Sequence, residues 1–218
     1  MSLSQEEIEI LDYIKLMLPS GLSGYPADYL SWVKMEYKKK GKPHTNVTMK
    51  NIENCLAILK DEKVIEPSKN DPRELCPNSS ILQKSWNKDS YEIFGAFEFS
   101  PIQYVRSRLE SFLKVNNVVE DDLVDVSIAT IEAIENAAKY GDGNSVFVSC
   151  QIIGKKLELQ IINKIKDVDL ETELLKKYTS ATTLMKGVMV MQKLFNHVDL
   201  QILEETQQAK LYAEKILT

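Results

Sequence analysis

The stretch Val124–Gly141, VDVSIATIEAIENAAKYG, constrains this chain more than any other. It is rich in Ala and Ile. Glu120, Asp121 and Asp122 precede it, and carboxylates suit the first turn of a helix, where free N–H groups carry partial positive charge. Its apolar residues spread round most of a helical circumference, so the spacing predicts a largely buried helix. Glu132 and Asn136 interrupt that pattern. They lie four residues apart, hence on one face, one turn beyond Ile128. Burying a carboxylate and an amide is costly unless something pairs with them. A hydrated metal carrying a phosphate chain would do so. An Asn oxygen can ligate Mg²⁺, and a Glu can orient or deprotonate a nucleophile. On spacing alone, polar groups that pair with neighbouring loops account for the two residues more simply.

Bulk properties narrow the setting. The 218 residues allow one large domain or two small ones. The net charge is −5, and residues 1–90 hold 13 Lys/Arg against 13 Asp/Glu, so the negative excess lies in residues 91–218. Neither part is a strongly basic nucleic-acid binder. Cys55, Cys76 and Cys150 are far apart and match no zinc spacing. Their odd number argues against a disulfide framework and for a reducing compartment. No apolar run is long enough to span a bilayer, so no membrane partner is expected. Glu6, Glu7 and Glu9 stand where a signal peptide would be basic. A cytoplasmic location is the expectation.

The chain alternates helices and turns before the central stretch. Ile8, Leu11, Ile14 and Leu18 define one helix over 5–18, with Pro19 as its stop. Pro26 opens a second through about Tyr37, with Tyr29, Leu30 and Val33 on its face. Lys38–Lys42 is a basic turn. Thr48 caps a third helix with Ile52, Leu56 and Leu59 inward, and Val64-Ile65 is a short strand. Residues 67–80 read as an irregular connection. Residues 91–99 alternate as a strand. Ser100-Pro101-Ile102-Gln103 is a capping-box helix start, leading to about Val115. Beyond the central helix, Ser145–Ile153 and Lys156–Ile162 form two strands about a turn at Gly154-Lys155. A helix over Gly187–Phe195 and a hairpin of Val198–Leu203 with Lys210–Ile216 complete the chain.

The run Glu132-Ala133-Ile134-Glu135-Asn136-Ala137-Ala138-Lys139-Tyr140-Gly141 resembles the N-box of the histidine-kinase-like ATPases. That superfamily includes gyrase, the Hsp90 chaperones, sensor histidine kinases and anti-sigma-factor serine kinases. From about Tyr91 to Thr218 the order of elements resembles the anti-sigma kinase branch. The resemblance implies an α+β chain. Its C-terminal domain, 89–218, would be an α/β sandwich of the histidine-kinase-like ATPase type. Residues 1–88 would form a small, mainly helical domain. There, three helices and a strand resemble a winged-helix module, with Thr48–Glu66 as recognition helix and wing. DNA binding through residues 38–66 and docking to a protein both stay open.

The resemblance also implies roles. Glu132 would help activate a nucleophile, and Asn136 would bind the nucleotide by ligating Mg²⁺. Lys139, one turn on, would reach a phosphate or simply end the helix in solvent. The strand Leu157–Ile162 leads to Asn163, where the family has an Asp that accepts the adenine amino group; some quorum-type sensor kinases of the superfamily resemble this chain in having Asn there. The glycines that follow that Asp are absent here. The later Gly-x-Gly motif reads Met185-Lys186-Gly187, so one Gly survives at a helix N-terminus able to face an anion. Thr179, Ser180, Thr182 and Thr183 would lie in a surface loop. The implied cofactors are ATP and Mg²⁺, and the implied partner is a sigma-factor or anti-anti-sigma-like protein. Serine/threonine kinase or ATPase activity, a nucleotide-free interaction module, and homodimerisation all remain open.

Overall fold

The computed structural model describes residues 3–84, 86–95, 98, 99, 101–165 and 187–218. The chain is α+β and divides into two compact units. Unit 1 comprises Met1–Ser85 and Phe99–Val115, and unit 2 comprises Trp86–Glu98 and Asn116–Thr218.

In unit 1, α1 (Gln5–Met17), α2 (Pro26–Lys39) and α3 (Met49–Asp61) precede a hairpin of β1 (Ile65–Pro67) and β2 (Leu75–Pro77). Ser4 and Thr48 cap α1 and α3 with reciprocal capping boxes, which fix both helix starts. Gly24 bridges to Leu75 and adds a third rung beside the hairpin. The second strand is absent from the sequence reading, which takes 67–80 as irregular. Its three residues are too few to show alternation, and pairing with Ile65–Pro67 supplies the order that propensity does not. The core holds Ile10, Ile14, Tyr29, Trp32, Ile52 and Leu59.

The fourth helix, α4 (Ile102–Val115), also belongs to unit 1. The expected boundary at 88/89 would group it with the C-terminal residues. Its side chains explain the difference. Tyr104 meets Trp32 edge-on at 5.8 Å, and Gln103 Nε2 donates to Ser23 O at 2.8 Å. Gln103 Nε2 thus ties the first turn of α4 to Ser23. The Ser100 cap lies outside the described residues.

Unit 2 is built on a five-stranded antiparallel sheet in the order β3-β4-β5-β7-β6. The strands are β3 (Lys88–Phe94), β4 (Gly141–Ile153), β5 (Lys156–Ile165), β6 (His197–Leu203) and β7 (Gln208–Ile216). The first strand runs earlier than 91–99, because Gly95 takes a φ of 63° and turns the chain out of the sheet. Helix α5 (Glu120–Tyr140) and helix α6, described over residues 187–194, also belong to the unit. Strict alternation along β5 buries Leu157, Leu159, Ile161 and Asn163 on one side. Ala129, Ala133 and Ala137 of α5 are buried, and their small side chains suit a helix lying close on the sheet. The helix is less enclosed than its composition suggests. Val124 and Ile128 are exposed, so a broad apolar circumference overstates its burial.

Candidate functional site

Helix α5 carries two polar clusters, one near each end. The first lies in its opening turns. Lys215 of β7 is buried, and its ammonium sits 2.9 Å from Asp125 Oδ2 and 3.3 Å from Asp122 Oδ1. It also donates to Leu194 O, at the end of α6, at 3.1 Å. Asp122 Oδ2 accepts from the Thr218 N–H and hydroxyl, both at 2.8 Å. Burial alone would push the Asp122 carboxyl up. The Thr218 and Lys215 hydrogen bonds outweigh it and hold the carboxyl below its usual range.

The second cluster lies two to four turns on. Glu132 and Asn136 are half-buried on one face, as their spacing requires. Gly187, the first described residue of α6, lies directly against them. A methyl group on Gly187 would come within 2.5 Å of both Asn136 Nδ2 and Glu132 Oε1. Thus three of the five residues singled out in the sequence converge, although 51 positions separate Asn136 from Gly187 in the chain. Neither Glu132 nor Asn136 has a hydrogen-bond partner among the described residues.

Asn163 sits next to the end of α5, within the helix-facing side of the sheet. It pairs in register with Val146 and Ala209 and is 7% exposed. Its Nδ2 donates to Lys164 O at 3.1 Å. Only the amide nitrogen can donate to a carbonyl, so this bond fixes the flip and leaves Oδ1 as the acceptor. Gly141 makes room for it, since a methyl group there would meet Ala137 O at 2.4 Å and Asn163 Nδ2 at 3.1 Å. Sequence reasoning quotes Gly141 as the end of the motif but misses this packing role. The clue was its place at a direct helix-to-strand junction, Tyr140 to Gly141.

Lys139 does not join the cluster. It is exposed, with its ammonium 5.0 Å from the ring of Tyr140. Thr179, Ser180, Thr182, Thr183, Met185 and Lys186 lie outside the described residues. Two of the three thiols are ill suited to nucleophilic work, since burial pushes Cys55 up to about 11 and raises Cys150 also. Ser127 and Thr130 of α5 bury their hydroxyls without a partner among the described residues. No group of three or more His, Cys, Asp or Glu among the described residues could hold a metal alone. No helix among them is long and apolar enough to cross a membrane.

No known family matches the chain by sequence, and no curated protein matches it. Several solved structures resemble it weakly, two of them as follows. One holds the RsbU and RsbW domains of a Mycobacterium tuberculosis protein, at 14% identity and a TM-score of 0.44, over 66% of this chain and 35% of that one. The other is the Acinetobacter baumannii histidine kinase AdeS, at 14% identity and a TM-score of 0.34, over 87% of this chain and 94% of that one. The chain therefore spans only about a third of the first structure's own length. Likeness at this level does not bear on what the chain does.

Proposed function

We propose that unit 2 is a nucleotide-binding domain of the histidine-kinase-like ATPase type, and that the protein is a regulator of the anti-sigma kinase kind acting on a protein partner. One observation carries this reading. Gly187 brings α6 against Glu132 and Asn136, two polar groups that no other described residue pairs. In the sequence Met185-Lys186-Gly187 reads as a helix start, which would offer free amides to an anion. Beside it stand a carboxylate and an amide oxygen. Mg²⁺ commonly takes one or two protein oxygens and completes its shell with phosphate and water, so this sparse donor set suits it. The lack of a side chain on Gly187 keeps that corner open.

In this reading Asn136 holds the metal–phosphate end. Glu132 orients or deprotonates the attacking group. Asn163 Oδ1 accepts from the base, and the magnesium neutralises phosphate charge when bound. Lys139 would reach a phosphate only by leaving the ring of Tyr140. Calorimetric titration with Mg-ATP tests the reading. Wild type should bind, Asn136→Ala should lose binding sharply, and Glu132→Ala should keep binding while losing any phosphoryl transfer. An unresponsive wild type at millimolar nucleotide would move the assignment to a nucleotide-free interaction module.

The order of elements in unit 1, helix, bridging residue, two helices and hairpin, supports the winged-helix reading. Its surface favours a protein over DNA. The exposed side of α3 presents Lys50, Glu53, Lys60 and Asp61, a balanced set. Lys42 is paired with Glu9, and Lys40 lies 4.5 Å from the Tyr13 ring. DNA binding through residues 38–66 would need these pairs exchanged for phosphates. A mobility-shift titration at low salt separates the two, with no retarded duplex expected.

A further inference from the structure

The two edges of the five-stranded sheet are built differently. A sheet edge presents unpaired N–H and C=O groups, and proteins usually guard such edges with charges, prolines or bulges. Edge strand β3 is guarded. It carries Lys88, Asp89 and Glu92 in seven residues, and Asp89 points inward at 4% exposure. An inward charge is one of the recognised ways to prevent pairing. Edge strand β6 reads HVDLQIL. It has no lysine, arginine or proline, and no bulge in its register with β7. Leu200, Ile202 and Leu203 are 40%, 43% and 40% exposed. Among the described residues, nothing pairs with its outer side.

We propose that β6 pairs with β6 of a second copy of this chain, antiparallel about Leu200, joining two five-stranded sheets into one. The sequence of the strand is complementary to itself in that register. Val198 falls opposite Ile202, Leu200 opposite Leu200, Asp199 opposite Gln201, and His197 opposite Leu203. Directly opposed residues in an antiparallel pair point to the same face. Val198, Leu200 and Ile202 already share the helix-facing side, through their register with Ala213, Leu211 and Ala209. Both copies would therefore contribute to one apolar cluster there. On the other face the single carboxylate meets an amide that already donates to such a group, since Gln201 Nε2 donates to Asp199 Oδ2 at 2.7 Å within the chain. No like charges oppose each other. Centring the pair on Gln201 would instead set Asp199 against Leu203 and Val198 against Glu204. The Leu200-centred register is the one that sets Asp199 against an amide and keeps Val198, Leu200 and Ile202 together. A single strand pair buries little surface, so the dimer is weak and concentration-dependent. The proposal does not depend on nucleotide.

Sedimentation velocity of the full chain from about 1 µM to about 200 µM tests it, with circular dichroism as the check on folding. Wild type should pass from monomer to dimer in that range. Leu200→Lys sets two ammonium groups face to face at the centre and should raise the dimer Kd about tenfold or more. Gln201→Asp on this exposed position should weaken the dimer by opposing Asp199 with a second carboxylate. Adding Asp199→Lys to it should restore the dimer, because each new lysine then faces the aspartate introduced at 201 of the other copy. A wild type that stays monomeric at the highest concentration overturns the proposal. So does a dimer that Leu200→Lys leaves intact, or a Gln201→Asp defect that Asp199→Lys fails to repair.

Discussion

The two ends of α5 handle polar groups in opposite ways. Near its start, Asp122, Asp125 and Lys215 satisfy one another, with Thr218 and Leu194 O completing the set. Farther along, Glu132 and Asn136 face Gly187 with no partner among the described residues. A satisfied buried network rigidifies and is costly to break. Half-buried groups left unpaired are available to a ligand. The same helix thus supplies an anchor at one end and an open hand at the other. The anchor also ties α5 to α6 through Lys215, so it helps hold Gly187 opposite its neighbours.

Breaking the anchor should have the largest effect. Lys215→Met leaves two carboxylates together, one of them buried, and should cost about 3 kcal/mol of stability, read as a denaturant midpoint shift. A loss well under about 1 kcal/mol would mean the network is no anchor. Acid attacks the same cluster. The folded-state pKa of Asp122 lies below its unfolded value, so the stabilisation is present above about pH 4 and fades as pH falls through the folded value. Unfolding curves between about pH 5 and pH 2 should show a steeper loss for wild type than for Asp122→Asn, which has no such proton to take up. Next comes the contact between α5 and Gly187. Gly187→Ala pushes a methyl group into two flexible side-chain tips and should cost about 1 kcal/mol, with a greater loss in Mg-ATP affinity. Smallest in stability is Asn136→Ala, expected within about 0.5 kcal/mol because no partner is lost, yet it should abolish any thermal shift from Mg-ATP. If Asn136→Ala instead destabilised as much as Lys215→Met, the contrast between the two ends would be gone.

Much of unit 2 was legible in the sequence because β5 alternates strictly, β4 does so in part, and the helices carry strong boundary residues. The acidic lead-in to α5 and the Gly154-Lys155 turn mark their elements without help from tertiary structure. Glu132 and Asn136 were legible as a pair because helical spacing alone puts them on one face. The approach of Gly187 was expected only through a family pattern, since no local rule links positions so far apart. Lys215 was invisible. A lysine in an alternating strand reads as solvent-facing, and its burial depends on two aspartates 90 and 93 positions earlier. Strand β2 escaped for a related reason, as three residues beside prolines have no period to detect. The grouping of α4 with unit 1 rests on Trp32 and Ser23, contacts of long sequence separation.

That grouping makes the chain pass between the units three times, at 85/86, 98/99 and 115/116. A growing polypeptide meets this as a problem of order. Domains generally fold as units while they emerge from the ribosome. Here the N-terminal unit is incomplete until Val115 has been made. Strand β3, made before α4, waits for β4, because Lys88 pairs with Gln151, 63 residues later. The nascent chain therefore carries an unpaired strand through the synthesis of two helices. The charges on β3 that guard the finished edge also keep that waiting strand soluble.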